Sequence, residues 1–181
     1  MPVFRNPTVS DAPAIAALHA KSWQQHYRGA LSDDFLDTQV VADRMEVWKE
    51  RLDHPDPEQY IVIAESEASM VGFACAFFDY STKFGTLIDN LHVSTESQGL
   101  GIGATLMASI AKENVRRYPN MGIYLWVLLQ NKKAMQFYAN LGGSRLETVE
   151  EQGLGDSVVM KCRYVWPSAE ILYDNIDKKE P

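Results

Sequence analysis

A chain of 181 residues, 46% hydrophobic and 23% charged, has room for one domain with a buried core and too little for two full ones. Eleven glycines and 8 prolines are ordinary amounts, which excludes a collagenous or low-complexity chain. Seventeen Lys and Arg against 24 Asp and Glu leave a net charge of −7, so broad binding to a phosphate backbone, and with it nucleic acid as a partner, is not expected.

The first residues lack the apolar core of a secretion signal and no stretch approaches a membrane span, so a cytoplasmic protein without a membrane partner is expected. Cys75 and Cys162 lie far apart in apolar runs, with no C-x-x-C and no histidine at metal-ligand spacing. They read as buried reduced thiols, and no metal site is expected.

Ser10, followed by Asp11-Ala12-Pro13, opens a helix that runs to about residue 27, because a hydroxyl can cap free N–H groups and proline suits the first turn. Near its end Trp23, His26 and Tyr27 share one face. A second helical region spans about residues 32–52, with Val41, Met45, Trp48 and Leu52 spaced as a core-facing stripe. Arg44 and Arg51 read there as solvated helix-face charges. After His54-Pro55-Asp56-Pro57 come three apolar runs, at residues 60–64, 71–78 and 87–93, joined by short polar turns. They are expected to pair as antiparallel neighbours.

A glycine-rich turn over residues 98–103 then opens a helix to about residue 118, followed by a strand over 123–129. Strand, helix and strand in this order imply a parallel pair. A further helix over about 131–141 stops at Gly142-Gly143. Two last strands follow, around 145–150 and 157–164, the second placing Val158, Met160, Cys162 and Tyr164 on one side. The segment after Pro167 reads as a mobile tail.

The window that carries chemistry is Leu87-Ile88-Asp89-Asn90-Leu91-His92-Val93 with Gln98-Gly99-Leu100-Gly101-Ile102-Gly103-Ala104. Glycines allow tight turns and close approach of a ligand, and the free N–H groups at a helix start favour an anionic phosphate. A P-loop would need Lys-Ser or Lys-Thr after its last glycine, but Ala104-Thr105 follows Gly103. A dinucleotide fingerprint expects a doubly wound parallel sheet and an acidic residue closing the next strand, where Leu128-Leu129-Gln130 stands. A tight turn without a ligand is the bland alternative.

The whole window resembles the GNAT superfamily of acyl-CoA-dependent N-acetyltransferases, whose Q/R-x-x-G-x-G/A pattern is filled by Gln98, Gly101 and Gly103. By element order, and through Asn131-Lys132-Lys133-Ala134-Met135-Gln136-Phe137-Tyr138, the likeness covers about residues 3–165. It implies an α/β fold of the α+β type: one domain over residues 1–166 with a mixed, mostly antiparallel twisted sheet of about seven strands flanked by helices, and a tail over 167–181. The activity implied is acetyl transfer from acetyl-CoA to a primary amine by direct attack in a ternary complex, without a metal. The runner-up is a non-catalytic acyl-CoA-binding or sensing domain of the same fold, which would be favoured if neither Asp89 nor His92 lined the slot.

Residue by residue, the resemblance implies that Leu91, His92 and Val93 pair with the pantetheine arm and that Gln98, Gly99, Leu100, Gly101, Ile102, Gly103 and Ala104 hold the diphosphate. Gln98 stands where an arginine is more usual, removing one positive charge. Tyr138 matches the family's acid for the CoA sulfur, and Asn131 a position that touches the arm, although it also reads as a helix N-cap. The base is Asp89 or His92. The family's bulge in that strand, which would fall at Asp89-Asn90, decides which of the two reaches the substrate. Trp23, His26, Tyr27 and Asp89 would border the acceptor, a small-molecule or peptide amine that an acidic surface would steer best if cationic. Dimers are common in the family, so a second copy of the chain is also an expected partner.

Overall fold

The computed structural model describes residues 2–67, 69–152 and 158–178. Seven strands form one sheet: β1 (Val3–Arg5), β2 (Gln59–Ser66), β3 (Ser69–Ser81), β4 (Gly85–Val93), β5 (Ile123–Leu128), β6 (Ser144–Gln152) and β7 (Val158–Trp166). Their spatial order is β1-β2-β3-β4-β5-β7-β6. Every neighbouring pair is antiparallel except β4 and β5, the two strands joined through a helix. The fold expected from the sequence is the fold observed.

Helices cover both faces. On one side α1 (Ala12–His26) and α2 (Val40–Asp53) bury Ile15, Ala16 and Trp48 against Ile61, Ile63, Phe73 and Cys75. On the other, α3 (Ile102–Arg117), α4 (Lys132–Asn140) and α5 (Ala169–Asp177) close a larger core that includes Leu106, Met107, Ile110, Ile123, Tyr138 and Trp166. Loss of a fully buried ring such as Trp48 would cost about 3–5 kcal/mol, part transfer and part cavity. At Gly72 of β3 helix α3 packs tightly on the sheet, since a Cβ there would lie 3.2 Å from the Ile102 and Leu106 side chains.

Two expectations need correction. In the second helical region Trp48 is fully buried and Met45 and Leu52 pack beside it, but Val41 is 54% exposed and Val40 is buried instead. A wide π turn over Phe35–Gln39 feeds α2 and shifts its entry register. On β7 the register is unbroken, so Val158, Met160, Cys162 and Tyr164 share one side as expected, with Cys162 and Tyr164 buried and Val158 and Met160 exposed. Ser157, the first residue expected there, lies outside the described residues. The segment read as a mobile tail is α5, whose Ala169, Leu172 and Ile176 are buried against the sheet and α3; residues 179–181 are outside the described residues. Both cysteines are free and buried, as expected.

Candidate active site

The site begins with a misfit in the sheet. Cys75 of β3 faces Asn90 while its neighbour Ala76 faces Ile88, so Asp89 is an extra residue and β4 bulges there. The bulge falls at Asp89-Asn90, where the family resemblance implied one. Beyond it the strands part: β4 pairs with β5 only from Thr86↔Ile123 to Ile88↔Leu125. Leu91, His92 and Val93 therefore turn unpaired edges toward a cleft of about 810 Å³ that runs between the diverging strands.

At one end of the cleft stands the N-terminus of α3. Gly99 and Gly101 adopt φ of +82° and +80°, a region that side chains with a Cβ enter only at a cost, and they turn the chain so that helix and loop amides face the opening. The first intrahelical bond joins Thr105 N–H to the Gly101 carbonyl at 3.1 Å, so the N–H groups of Ile102, Gly103 and Ala104 point out of the helix start. Gln98, Gly99, Gly101, Ile102, Gly103 and Ala104 all line the cleft; the Leu100 side chain does not and is 72% exposed.

The positive charge that Gln98 lacks is supplied from α4. Lys133 Nζ donates to Gln98 Oε1 at 2.6 Å, while Gln98 Nε2 donates to the Val93 carbonyl at 3.3 Å. Asn131 lines the cleft and caps α4, its Oδ1 accepting the Ala134 N–H at 3.1 Å. Tyr138 lies almost wholly buried between Phe137, Tyr164 and Trp166, its ring edge-on to the first and last. Burial pushes its phenol far above the ordinary value, with the nearby Tyr27 hydroxyl adding to the effect.

The opposite wall comes from α1 and α2. Trp23 and Tyr27 stack with ring centroids 4.9 Å apart, and the Arg44 guanidinium lies 4.3 Å over the Trp23 ring. Burial, followed by the charge of Asp89, pushes the Tyr27 phenol up to about 12. His26 sits at the rim, half-buried, and burial with the charge of Lys133 lowers its pKa. Its carbonyl and that of Arg28 each accept from Gln130 Nε2 at 3.0 Å, tying the end of α1 to the loop before α4.

Asp89 and His92 both line the cleft. Asp89 Oδ2 accepts from Arg51 Nη1 at 2.8 Å, and the same nitrogen reaches Asn90 Oδ1 at 3.1 Å. His92 Nδ1 lies 2.8 Å from Ser22 Oγ, and its ring packs against His19 and Phe73 with centroids 4.6 and 5.2 Å away. Burial, with smaller contributions from His26 and Arg44, lowers the His92 pKa to about 3, so the imidazole is neutral near pH 7. Behind it the buried His19 accepts from Trp48 Nε1 at 2.9 Å through Nδ1, which places its own proton on Nε2.

Arg44 and Arg51 are not the solvated charges expected: both line the cleft, with side-chain exposures of 14% and 26%. Their separation of seven residues, two helical turns on one face, was the available signal. Lys133, Ser22, Tyr124 and Trp126 were also missed as lining or supporting residues. Among the described residues no group of three or more His, Cys, Asp or Glu could hold a metal ion, and no helix is long and apolar enough to cross a membrane.

The family model for the acetyltransferase (GNAT) family matches residues 17–142. The chain belongs to that family. A Mycobacterium tuberculosis protein named probable N-acetyltransferase is 29% identical over 132 residues, covering 71% of each chain. Among solved structures, the PaiA N-acetyltransferase of Thermoplasma acidophilum in complex with coenzyme A is similar, with a TM-score of 0.65 and 17% identity, over 89% of this chain and 98% of that one. The yncA protein of Salmonella typhimurium with its cofactor acetyl-CoA matches with a TM-score of 0.65 and 16% identity, over 92% and 93%. These two likenesses establish the fold that the acetyltransferase shares with them.

Proposed function

We propose that this acetyltransferase moves an acetyl group from acetyl-CoA to a primary amine by direct attack within a ternary complex. The observation that carries the reading is the parting of β4 from β5 at the Asp89 bulge, with the α3 N-terminus at one end of the opening. The residues present suit a CoA thioester. Outward-pointing amides and the helix dipole at Ile102–Ala104 complement a diphosphate, and Lys133 adds a cation beside them. The unpaired edge of Leu91, His92 and Val93 offers backbone groups to an amide-bearing arm. The complexes of the PaiA and yncA relatives with coenzyme A and acetyl-CoA support the same assignment.

The reaction forms one C–N bond and breaks one C–S bond, while a proton leaves the amine nitrogen and another reaches the sulfur. Tyr138 supplies the second proton: its raised pKa keeps the hydroxyl protonated until a thiolate develops beside it. The backbone N–H of His92 or Val93 stabilises the developing oxyanion. Three residues past the bulge, His92 accepts a hydrogen bond from the amine and passes the proton to solvent, since its neutral imidazole adds no charge to the cleft. Asp89, already bonded to Arg51, positions that guanidinium. With both Asp89 and His92 lining the cleft, the enzyme is favoured over a non-catalytic sensing domain.

Thiol release from acetyl-CoA across a panel of amines tests this directly. Turnover is expected, and kcat/KM should climb with pH until the amine itself is neutral, with no inflection near 6.5. Calorimetric binding of CoA without turnover of any amine would support the sensing domain instead, and no heat with CoA would remove both readings.

A further inference from the structure

The acceptor end of the cleft is lined by guanidinium groups although the chain as a whole is acidic. Two arginines from one face of α2 reach into it: Arg44 also stacks on Trp23 of α1, whereas Arg51 turns to β3 and β4. Arg51 lies along the rings of Trp48 and Phe77, 5.1 and 5.3 Å from their centroids, which fixes the plane of its guanidinium. Nη1 carries its bonds to Asp89, Asn90 and, at 3.9 Å, the Cys75 sulfur. A guanidinium has five N–H donors in a planar fork, so the edge formed by Nε and Nη2 keeps the geometry that meets a carboxylate with two parallel bonds.

Arg44 is arranged the other way round. Its Nε and Nη2 hold Asp43 at 2.7 and 2.5 Å, which leaves Nη1, and the stacked contact with Trp23 keeps the group beside the opening. Its charge is felt at Tyr27, His92 and His19, so the guanidinium lies on the cleft side of α2. Arg44 is thus paired with Asp43, Arg51 with Asp89 and Lys161 with Glu151, so what this end offers a carboxylate is the open edge of Arg51 and the Nη1 of Arg44 rather than a surplus of charge.

From this we infer that the acceptor is an amine bearing a carboxylate close to its nitrogen, in the manner of a free α-amino acid, and that Arg51 with Arg44 binds that carboxylate. The inference rests on the acyl-transfer reading of the same cleft and names its substrate class. A polyamine or a lysine side chain would bring a second cation against two guanidiniums and meets no free carboxylate there. The short reach follows from β4 itself. Arg51 touches Asp89 and Asn90, immediately before Leu91 to Val93, so an anion on Arg51 and an amine at His92 are separated by little more than two residues of one strand. Trp23, Tyr27, Tyr124 and Trp126 line the remaining space and would favour an apolar or aromatic side chain on the substrate.

The test compares the standard amino acids, their carboxamides and spermidine as acceptors, with thiol release as readout. In the unmodified enzyme the free acids should exceed their amides at least tenfold in kcat/KM. That ratio should fall toward one in Arg51→Gln and by a smaller factor in Arg44→Gln, with KM for acetyl-CoA unchanged in both. Amides or spermidine turned over as well as the acids, or a ratio that survives both substitutions, would overturn the inference. Because Arg51→Gln removes ring contacts as well as charge, the comparison of acid with amide in the unmodified enzyme stands independently of how the variant folds. If no amine releases thiol, calorimetry on the CoA-loaded protein decides. Heat from an amino acid but not from its amide keeps the carboxylate site while removing the transfer reading, and no heat from any amino acid overturns the site.

Discussion

The two walls of the cleft are built on different principles. The wall of α3 and α4 presents backbone: a helix start, two glycines in the left-handed region and one lysine reaching across from the next helix. The wall of α1 and α2 works through side chains drawn from far apart in the chain, with Arg51 bonding Asp89 and Ser22 bonding His92, pairs separated by 38 and 70 residues. Backbone recognition suits a carrier that never changes, because amides present the same donors whatever the neighbouring side chains are. Side-chain recognition suits an acceptor that differs from one family member to the next, since each contact can be altered alone.

The largest effect should come where this division is broken. Tyr138 belongs to the α3–α4 wall yet in the proposed reaction acts through a side-chain proton, so Tyr138→Phe should lower kcat on the order of 10²-fold while the calorimetric affinity for CoA is kept. Unchanged turnover would return Tyr138 to a packing role between Phe137 and Trp166, and weakened CoA binding would place it with the recognition groups.

The acceptor wall has a second signature that the carrier wall lacks, two histidines held neutral by burial. The folded pKa of His19 lies far below its ordinary 6.5, and that of His92 is about 3. The unfolded chain therefore binds protons that the native state refuses. Stability is complete above about pH 6.5 and falls as the pH drops, with the His92 contribution growing until about pH 3. At pH 5 the loss should be about 2 kcal/mol for His19 alone, at about 1.4 kcal/mol per pH unit. Denaturant melts between pH 7.5 and 5 check the slope. His19→Asn, which keeps an acceptor for Trp48 Nε1, should halve it and leave the His92 contribution, whereas an unchanged slope would assign the acid sensitivity elsewhere.

The same division decides what could be read without coordinates. Gln98, Gly101 and Gly103 lie within one short window, and glycine spacing reports backbone geometry directly, so the turn and helix start of the α3 wall were visible in the sequence. The bulge at Asp89-Asn90 was also placed correctly, since the family resemblance locates it. The acceptor wall was visible only as the cluster of Trp23, His26 and Tyr27. Its arginines were misread because a charge at helical spacing looks the same whether it faces water or a cleft, and only the course of α2 over Phe77 and Trp23 tells the two apart. The π turn that sets this course has no marker in residues 35–39. The tail was misread for a related reason: Leu172 and Ile176 are buried only because α3 presents a face to receive them.

The smallest effect concerns Lys133, the one side chain on which the carrier wall depends for charge. A lysine replacing the arginine more usual at position 98 from a different helix keeps the cation near the α3 N-terminus but makes it a point charge on a solvent-exposed stem. Exposed charge contacts contribute about 1 kcal/mol or less, so Lys133→Ala should raise KM for acetyl-CoA roughly threefold to fivefold and leave kcat in place. Screening separates this from a change in shape: the difference between the two enzymes should shrink as ionic strength rises from 0.05 to 0.5 M, because the Debye length falls from above to below about 10 Å. A difference that ignores salt would mean that Lys133 serves by holding Gln98 Oε1, and Gln98→Ala should then reproduce it. Gln98→Arg in the Lys133→Ala background should restore KM if charge near the helix start is what matters and the helix it comes from is not.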